Sequence, residues 1–305
     1  HGTFLSSIMR YQINGRIHGE INQLRSDQGG TVSGRLSMGN PNLQQIPARN
    51  KDFGPKIRSL FIPEEGHQWG SFDYSQQEPR MTVHYAASIG EGYEGSQELV
   101  DAYKNASADF HQTVADLVGI ERTQAKTIGL GLMYGMGKNK LANSLGLTRD
   151  EADLIINKYN RKVPFVKLLS DRCMQTAQDK GVVRTKRGRK CRFDQWETRD
   201  FGLHLPESFE NAVAKYGRDN IKRAKTYKAL NRLIQGSSAD QTKQAMLNLA
   251  KEGYLPILQI HDELCFNITN HEQVTNIKKI MENCIEFKVP FVVDHKLGDS
   301  WGAAK

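Results

Sequence analysis

The chain is short of cysteine, of long apolar runs, of repeats and of acidic residues, and each shortage removes a class of protein. Its cysteines are Cys173, Cys191, Cys265 and Cys284; they form no C-x-x-C pair and no zinc-like spacing, which excludes a disulfide scaffold or a structural zinc module and fits a reducing compartment. No apolar run approaches the length of a bilayer span, and a mean hydropathy of −0.58 points the same way, against a membrane protein. His1-Gly2-Thr3 does not resemble a signal peptide, and the start without methionine reads as a piece cut from a longer chain, expected in the cytoplasm. Neither an internal repeat nor a low-complexity segment is present, so a solenoid or a disordered tail is excluded. Against 42 Lys and Arg stand 34 Asp and Glu, giving a net charge of +8 and a pI of about 9.2, a modest lean towards a polyanionic partner.

What is present suffices for a globular protein. With 38% hydrophobic residues, 305 residues can bury one large core or two lobes. Trp69-Gly70-Ser71-Phe72 runs into Asp73-Tyr74 and then into Ser75-Gln76-Gln77-Glu78-Pro79, where Ser75-x-x-Glu78 has the form of a capping box and Pro79 suits a first helical turn. That order predicts strand, turn, helix. Residues 4–11 read as the end of a helix and Asn14-Gly15 as a tight turn into an extended segment, followed by a Gly, Ser, Asn and Pro-rich loop over 29–47. The middle third reads as helical: one helix opened by Asp109, one over 122–136, one capped by Thr148-x-x-Glu151 and one from Pro164 to about residue 179. Residues 182–193 predict a hairpin with a basic tip, 224–251 a long helix, 255–260 and 264–268 two strands joined at His261-Asp262-Glu263, 274–287 an amphipathic helix and 289–295 a last strand.

Two carboxylates, Asp73 and Asp262, therefore stand at the mouths of apolar strands far apart in sequence. An acid at such a position needs solvent, a partner or a cation. If both strands share a sheet, the pair suits Mg²⁺, which prefers oxygen ligands, and two such ions about 3.5–4 Å apart can activate a hydroxyl and steady a leaving pyrophosphate. Nuclease, polymerase and plain surface turn all stay open on this feature. The 122–136 helix discriminates further. Arg122, Lys126, Leu130 and Tyr134 recur at every fourth residue, so the cations lie on one stripe at the helix N-terminus. Cations there cost about 0.3–1 kcal/mol against the helix dipole, yet the same place suits a triphosphate. His111 adds a donor, and Gly129, Gly131, Gly135 and Gly137 suggest close approach or bending.

In sequence order, Asp73-Tyr74-Ser75-Gln76-Gln77-Glu78-Pro79-Arg80, Arg122-x-x-x-Lys126 through Tyr134-Gly135, and His261-Asp262-Glu263 resemble motifs A, B and C of family A DNA polymerases, the bacterial polymerase I type also found in phages. Thr31 to Ser37 with Pro41 to Pro47 resembles the segment before motif A, and Asp109-x-His111 the segment before motif B, so the resemblance covers essentially the whole chain. It implies an α+β fold: a palm of antiparallel sheet with helices behind it, carrying a helical fingers insertion. The implied domains are a thumb stub and first part of the palm over 1–88, fingers over 89–222 and the second part of the palm over 223–305.

The resemblance also implies roles. Asp73 and Asp262, with the Tyr74 carbonyl, would hold two Mg²⁺ ions, and Glu263 would be an accessory acid. His111, Arg122 and Lys126 would hold the incoming dNTP, Lys126 also protonating the leaving pyrophosphate; Gln76, Leu130 and Tyr134 would complete that pocket, and Glu78 would exclude a 2′ hydroxyl. Arg35, Asn42, Gln44, Asn231, Gln235 and His261 would face primer-template DNA, where minor-groove acceptors are shared by all base pairs. The Arg184 to Arg192 tip would at most touch phosphate. Leu130 stands where the family usually has Phe or Tyr, Pro79 where it has an aliphatic, and Tyr227 where arginine is common. The expected activity is template-directed DNA synthesis in the cytoplasm of a bacterium or phage-infected cell, with an unspecified processivity factor. Its rivals are a single-subunit RNA polymerase and a DNA-binding fragment without turnover.

Overall fold

The computed structural model describes all residues except 1–5, 27–28, 48–49, 51, 91, 94, 105–108, 135, 201, 203, 305 and the side chain of Leu117. The chain divides into two compact units, His1–Gln77 with Ser238–Lys305, and Glu78–Ser237, so the second is inserted in sequence between the halves of the first.

The first unit is built on a four-stranded antiparallel sheet. Its strands are β1 (Gln68–Tyr74), β2 (Leu258–Ile260), β3 (Glu263–Ile268) and β4 (Val293–Gly298), in the spatial order β2-β3-β1-β4. β1 is central and buried on both faces, which is why it reads as a continuous apolar run rather than an alternation. On one face Trp69 and Cys265 join Ile8, Met38, Leu43, Ile46, Leu258, Ile260 and Trp301 in a single apolar cluster. On the other, Phe72 packs edge-on against Phe266, and the buried Tyr74 donates its hydroxyl to the Met281 carbonyl of the helix His271–Glu282. Each large side chain buried this way is worth about 1.5–3 kcal/mol. No disulfide forms: Cys173, Cys191 and Cys265 are buried and Cys284 half-buried.

The second unit is mainly helical. Asp109 N-caps the helix Phe110–Val118, accepting from the His111 and Gln112 amides, and Thr148 with Glu151 closes the expected capping box on Arg149–Lys162. Each such cap is worth about 1 kcal/mol. Helix Arg122–Met133 ends at Tyr134, and Gly131 is where a neighbour comes close: an added Cβ would lie 3.2 Å from Leu141 Cδ1 and 3.3 Å from Met136 Sδ. At Gly129 the same atom would meet only ordinary contacts, Gly137 opens the next helix in free space, and Gly135 falls outside the described residues. Helix Pro164–Lys180 and the hairpin Val182–Arg184 with Lys190–Arg192 follow as expected.

Several boundaries differ from those read in the sequence. Within 4–11 the structure describes only the short helix Ser7–Met9, residues up to 5 lying outside it. The helix after β1 is Gln77–Ile89, and Gln76 intervenes at a left-handed φ of 54°, so Ser75 does not directly precede it. The long helix is Ala229–Lys251, later in its start than read, because the chain first makes a 3-10 turn at Thr226–Lys228. Asn270 caps its helix by accepting from the Gln273 amide, so that helix starts earlier than read, at His271, and it ends at Glu282. The last strand starts only at Val293, after Pro290, whose missing N–H cannot join a ladder.

Candidate active site

In the first unit the sheet register brings the acids together. Asp73, on β1, lies directly opposite Glu263 on β3 and opposite Asp294 on β4. Directly opposed residues share a face with Cβ atoms about 4.5–5.5 Å apart, and like charges so placed repel. Asp262 occupies the two-residue bend between β2 and β3, and Glu263 is already the first residue of β3. The Asp73 carboxyl is pushed up to about 8, first by desolvation and then by Asp262, Glu263 and Asp294, with Lys296 pulling it partly back. Since Asp73 keeps an exposed face, the repulsion from Glu263 and Asp294 is the part of this shift that the strand register supports independently.

A site of this kind is neutralised by protonation or by cations. Its donors are carboxylate oxygens with the Tyr74 carbonyl adjacent in sequence, a set that suits a hard divalent ion such as Mg²⁺. Among the described residues no three His, Cys, Asp or Glu side chains converge in metal-holding geometry, so carbonyl, water or substrate oxygens must complete any coordination shell.

In the second unit the expected stripe forms on helix Arg122–Met133. Arg122 and Lys126 are exposed, and Leu130 and Tyr134 half-buried. Arg122 is held by Asp109, whose Oδ2 accepts from Nε at 2.7 Å and lies 2.6 Å from a terminal guanidinium nitrogen, while Oδ1 caps the preceding helix. Asp109 thus ties two helices together. Its carboxyl is lowered: desolvation opposes the shift, and the Arg122 hydrogen bond and the two capping amides overcome it. His111 is 4% exposed and its Nδ1 has no hydrogen-bond partner. Burial, then Lys126 and Arg122, lower its pKa to about 4 against a smaller opposing pull from Asp109, so the ring is neutral near pH 7. At the helix end the Tyr134 hydroxyl donates to the Glu78 carboxylate.

The remaining sequence-read residues lie as follows. Gln76, Arg35, Asn231 and Gln235 are half-buried and His261 is exposed. Asn42 and Gln44 face inward: Asn42 Oδ1 accepts from the Gln44 amide, and Gln44 Nε2 donates to Gln259. Asp294 was not singled out in the sequence, where it is one polar residue in a strand-like run; only the register reveals it.

Comparison with known proteins places these two residue clusters in context. The family model for DNA polymerase family A matches residues 2–303. A DNA-directed DNA polymerase of Pseudomonas phage M6 is 37% identical, the match covering 98% of this chain and 49% of that protein. A DNA polymerase I of Caldicellulosiruptor bescii is 34% identical, covering 96% of this chain and 33% of that one. Among solved structures, the POL domain of Pol1 from M. smegmatis, in complex with DNA primer-template and dNTP, is similar with a TM-score of 0.78 and 28% identity over 98% of this chain and 51% of its own. The chain thus spans about half the length of the phage relative and about a third of the bacterial one. Among the described residues no helix is long and apolar enough to cross a membrane.

Proposed function

Since this chain belongs to DNA polymerase family A, we propose that it extends a DNA primer on a template, the primer 3′ hydroxyl attacking the α-phosphate of a dNTP and pyrophosphate leaving. The observation behind this reading is the register that sets Glu263 and Asp294 opposite Asp73 on one sheet face, with Asp262 at the adjoining bend. Such a concentration of like charge is useful where cations meet a polyanionic substrate. Asp73, Asp262 and the Tyr74 carbonyl would hold two Mg²⁺ ions, with Glu263 as accessory acid. When bound, such ions supply charge neutralisation and a more acidic hydroxyl.

The chain's own residues supply the rest, mainly by positioning and charge stabilisation. Arg122 and Lys126 would hold the triphosphate, and Lys126 would pass a proton to the leaving pyrophosphate. Neutral His111 would act as a hydrogen-bond donor rather than a third cation, consistent with its lowered pKa. Glu78, aligned by Tyr134, would crowd a ribose 2′ hydroxyl. Tyr134 would also pack near the templating base, and Gln76 and Leu130 would each contact the dNTP. Arg35, Asn231, Gln235 and His261 would face the primer-template minor groove, and Asn42 and Gln44 would support that surface from within. We assign the palm with a thumb stub to 1–88 and 223–305 and the fingers to 89–222.

Primer extension in the full-length protein tests the assignment, with dNTPs and rNTPs compared in the parent, Asp262→Asn and Glu78→Ala. Extension with dNTPs, lost in Asp262→Asn, is expected. Equal use of rNTPs by the parent would favour an RNA polymerase, and equal DNA binding without extension in parent and variant would leave a binding fragment.

A further inference from the structure

The bend that delivers Asp262 holds His261 at a φ of 57°, in the left-handed region that a non-glycine residue keeps only when its surroundings enforce it. One contact that holds it there comes from two residues back. Gln259 is 4% exposed, and its Nε2 donates to the His261 carbonyl at 2.7 Å. Its Oε1 accepts from Gln44 Nε2 at 2.9 Å, and that same nitrogen lies 3.3 Å from the Gln259 carbonyl. Gln44 is itself fixed by the 3-10 turn Leu43–Gln45, whose cap Asn42 accepts from the Gln44 amide at 3.1 Å. Leu43 and Ile46 anchor that turn in the same apolar cluster as Leu258, Ile260 and Trp69.

A continuous run of contacts therefore leads from the core, through two amide side chains, to the peptide that joins His261 to Asp262. An amide engaged at both ends cannot rotate without leaving a buried polar group unsatisfied. Because the His261 carbonyl and the Asp262 Cα share one peptide plane, fixing that carbonyl fixes the N–Cα bond about which Asp262 turns and so narrows the directions its side chain can take.

We propose that Gln259, braced by Gln44, is a positioning residue that locks the left-handed bend and so aims Asp262; this rests on the reading of Asp262 as a metal-holding acid. The sequence hides the role, because Gln259 reads as one more residue of a short strand.

The test is Mn²⁺ binding to the full chain without DNA or nucleotide, followed by the electron paramagnetic resonance signal of the free ion. Gln259→Met keeps length and burial but removes both the donor and the acceptor. It is expected to weaken Mn²⁺ binding about tenfold, within the range seen when an outer contact to a metal ligand is removed. Gln44→Leu leaves the bond to His261 but frees the far end of Gln259, and is expected to weaken binding about threefold. Primer extension by Gln259→Met should show a lower kcat at limiting Mg²⁺, recovered at high Mg²⁺, with the KM for dNTP unchanged. Parent-like Mn²⁺ affinity in Gln259→Met, with only a lower melting temperature, overturns the proposal, since Gln259 would then merely stabilise the hairpin. Should Gln259→Met fail to fold, parent-like affinity in Gln44→Leu overturns it instead. Asp262→Asn separates the two readings: if it binds Mn²⁺ as the parent does, the metal assignment fails and the positioning role falls with it, whereas loss in Asp262→Asn without change in the glutamine variants removes the positioning role alone.

Discussion

The acid cluster of the first unit and the cation cluster of the second handle charge in opposite ways. On the sheet, Asp73 is opposed by Glu263 and Asp294 and adjoined by Asp262, with Lys296 the cation that moderates it. On the helical unit, Arg122 is already paired with Asp109, and the neutral His111 adds no charge. The acid cluster is thus under electrostatic tension before any ligand arrives, while the cation cluster has its leading charge occupied. Divalent ions should bind the first by relieving repulsion. A triphosphate should bind the second by competing with a carboxylate, which lowers affinity but keeps the arginine from wandering.

The largest effect that would sharpen this contrast is expected on the acid side. Asp73→Asn or Asp262→Asn should lower kcat for primer extension on the order of 10³-fold, as removal of a main transition-state charge partner does. Thermal stability without metal should hold or rise in Asp73→Asn, because folding then no longer has to protonate that carboxyl below about pH 8 or bear its repulsion above it. A large loss of stability would show instead that these acids are structural. On the cation side, Lys126→Ala and Arg122→Ala should each lower kcat/KM for dNTP by about 10²-fold, Lys126 mainly through kcat and Arg122 mainly through KM. Indistinguishable kinetics would break the division of labour.

The third prediction concerns pH. Between the ordinary carboxylate range and about 8, folded Asp73 keeps a proton that the unfolded chain releases, so the folded state is favoured at low pH and loses that advantage as pH rises. In chelator, the melting temperature should fall by a few degrees from pH 5 to pH 8.5. Asp73→Asn or saturating Mg²⁺ should flatten that slope, and a parent-like slope in Asp73→Asn would show that the titration belongs elsewhere.

The smallest effect separates the two duties of Asp109. Asp109→Asn keeps a capping oxygen and weakens the ion pair, so stability should change little while the KM for dNTP falls two- to threefold, about 0.5 kcal/mol. Asp109→Ala should also lose about 1 kcal/mol of stability with the cap, measurable by denaturant unfolding. A higher KM in Asp109→Asn would mean that the carboxylate presents Arg122 to the substrate rather than competing for it.

Much of this was legible in the residues because it rests on local chemistry. The strand-turn-helix around Asp73, the Asp109 and Thr148 caps and the spacing from Arg122 to Tyr134 all follow from side chains within a few positions of one another. What stayed hidden depends on register. β1 is buried on both faces and so lacks the alternation that would tell which residue of β4 stands opposite Asp73. Asp294 consequently looked ordinary. Gln259 and the buried pair Gln77 and Gln241, joined by a 3.0 Å hydrogen bond, were equally unreadable, since nothing in a short polar residue announces a partner some 160 to 215 positions away.

The four cysteines have a practical use. Burial pushes the Cys173 thiol up to about 12 and the Cys265 thiol well above its ordinary range, so thiolate is scarce at both near neutral pH. Cys191 is buried too, and Cys284 is half-covered with its sulfur close to the Tyr74 hydroxyl and the Gln241 carbonyl. One cysteine introduced on an exposed position of either unit should outreact all four towards maleimide dyes, so the native chain already serves as a low-background scaffold for fluorescent labelling without first stripping its own thiols.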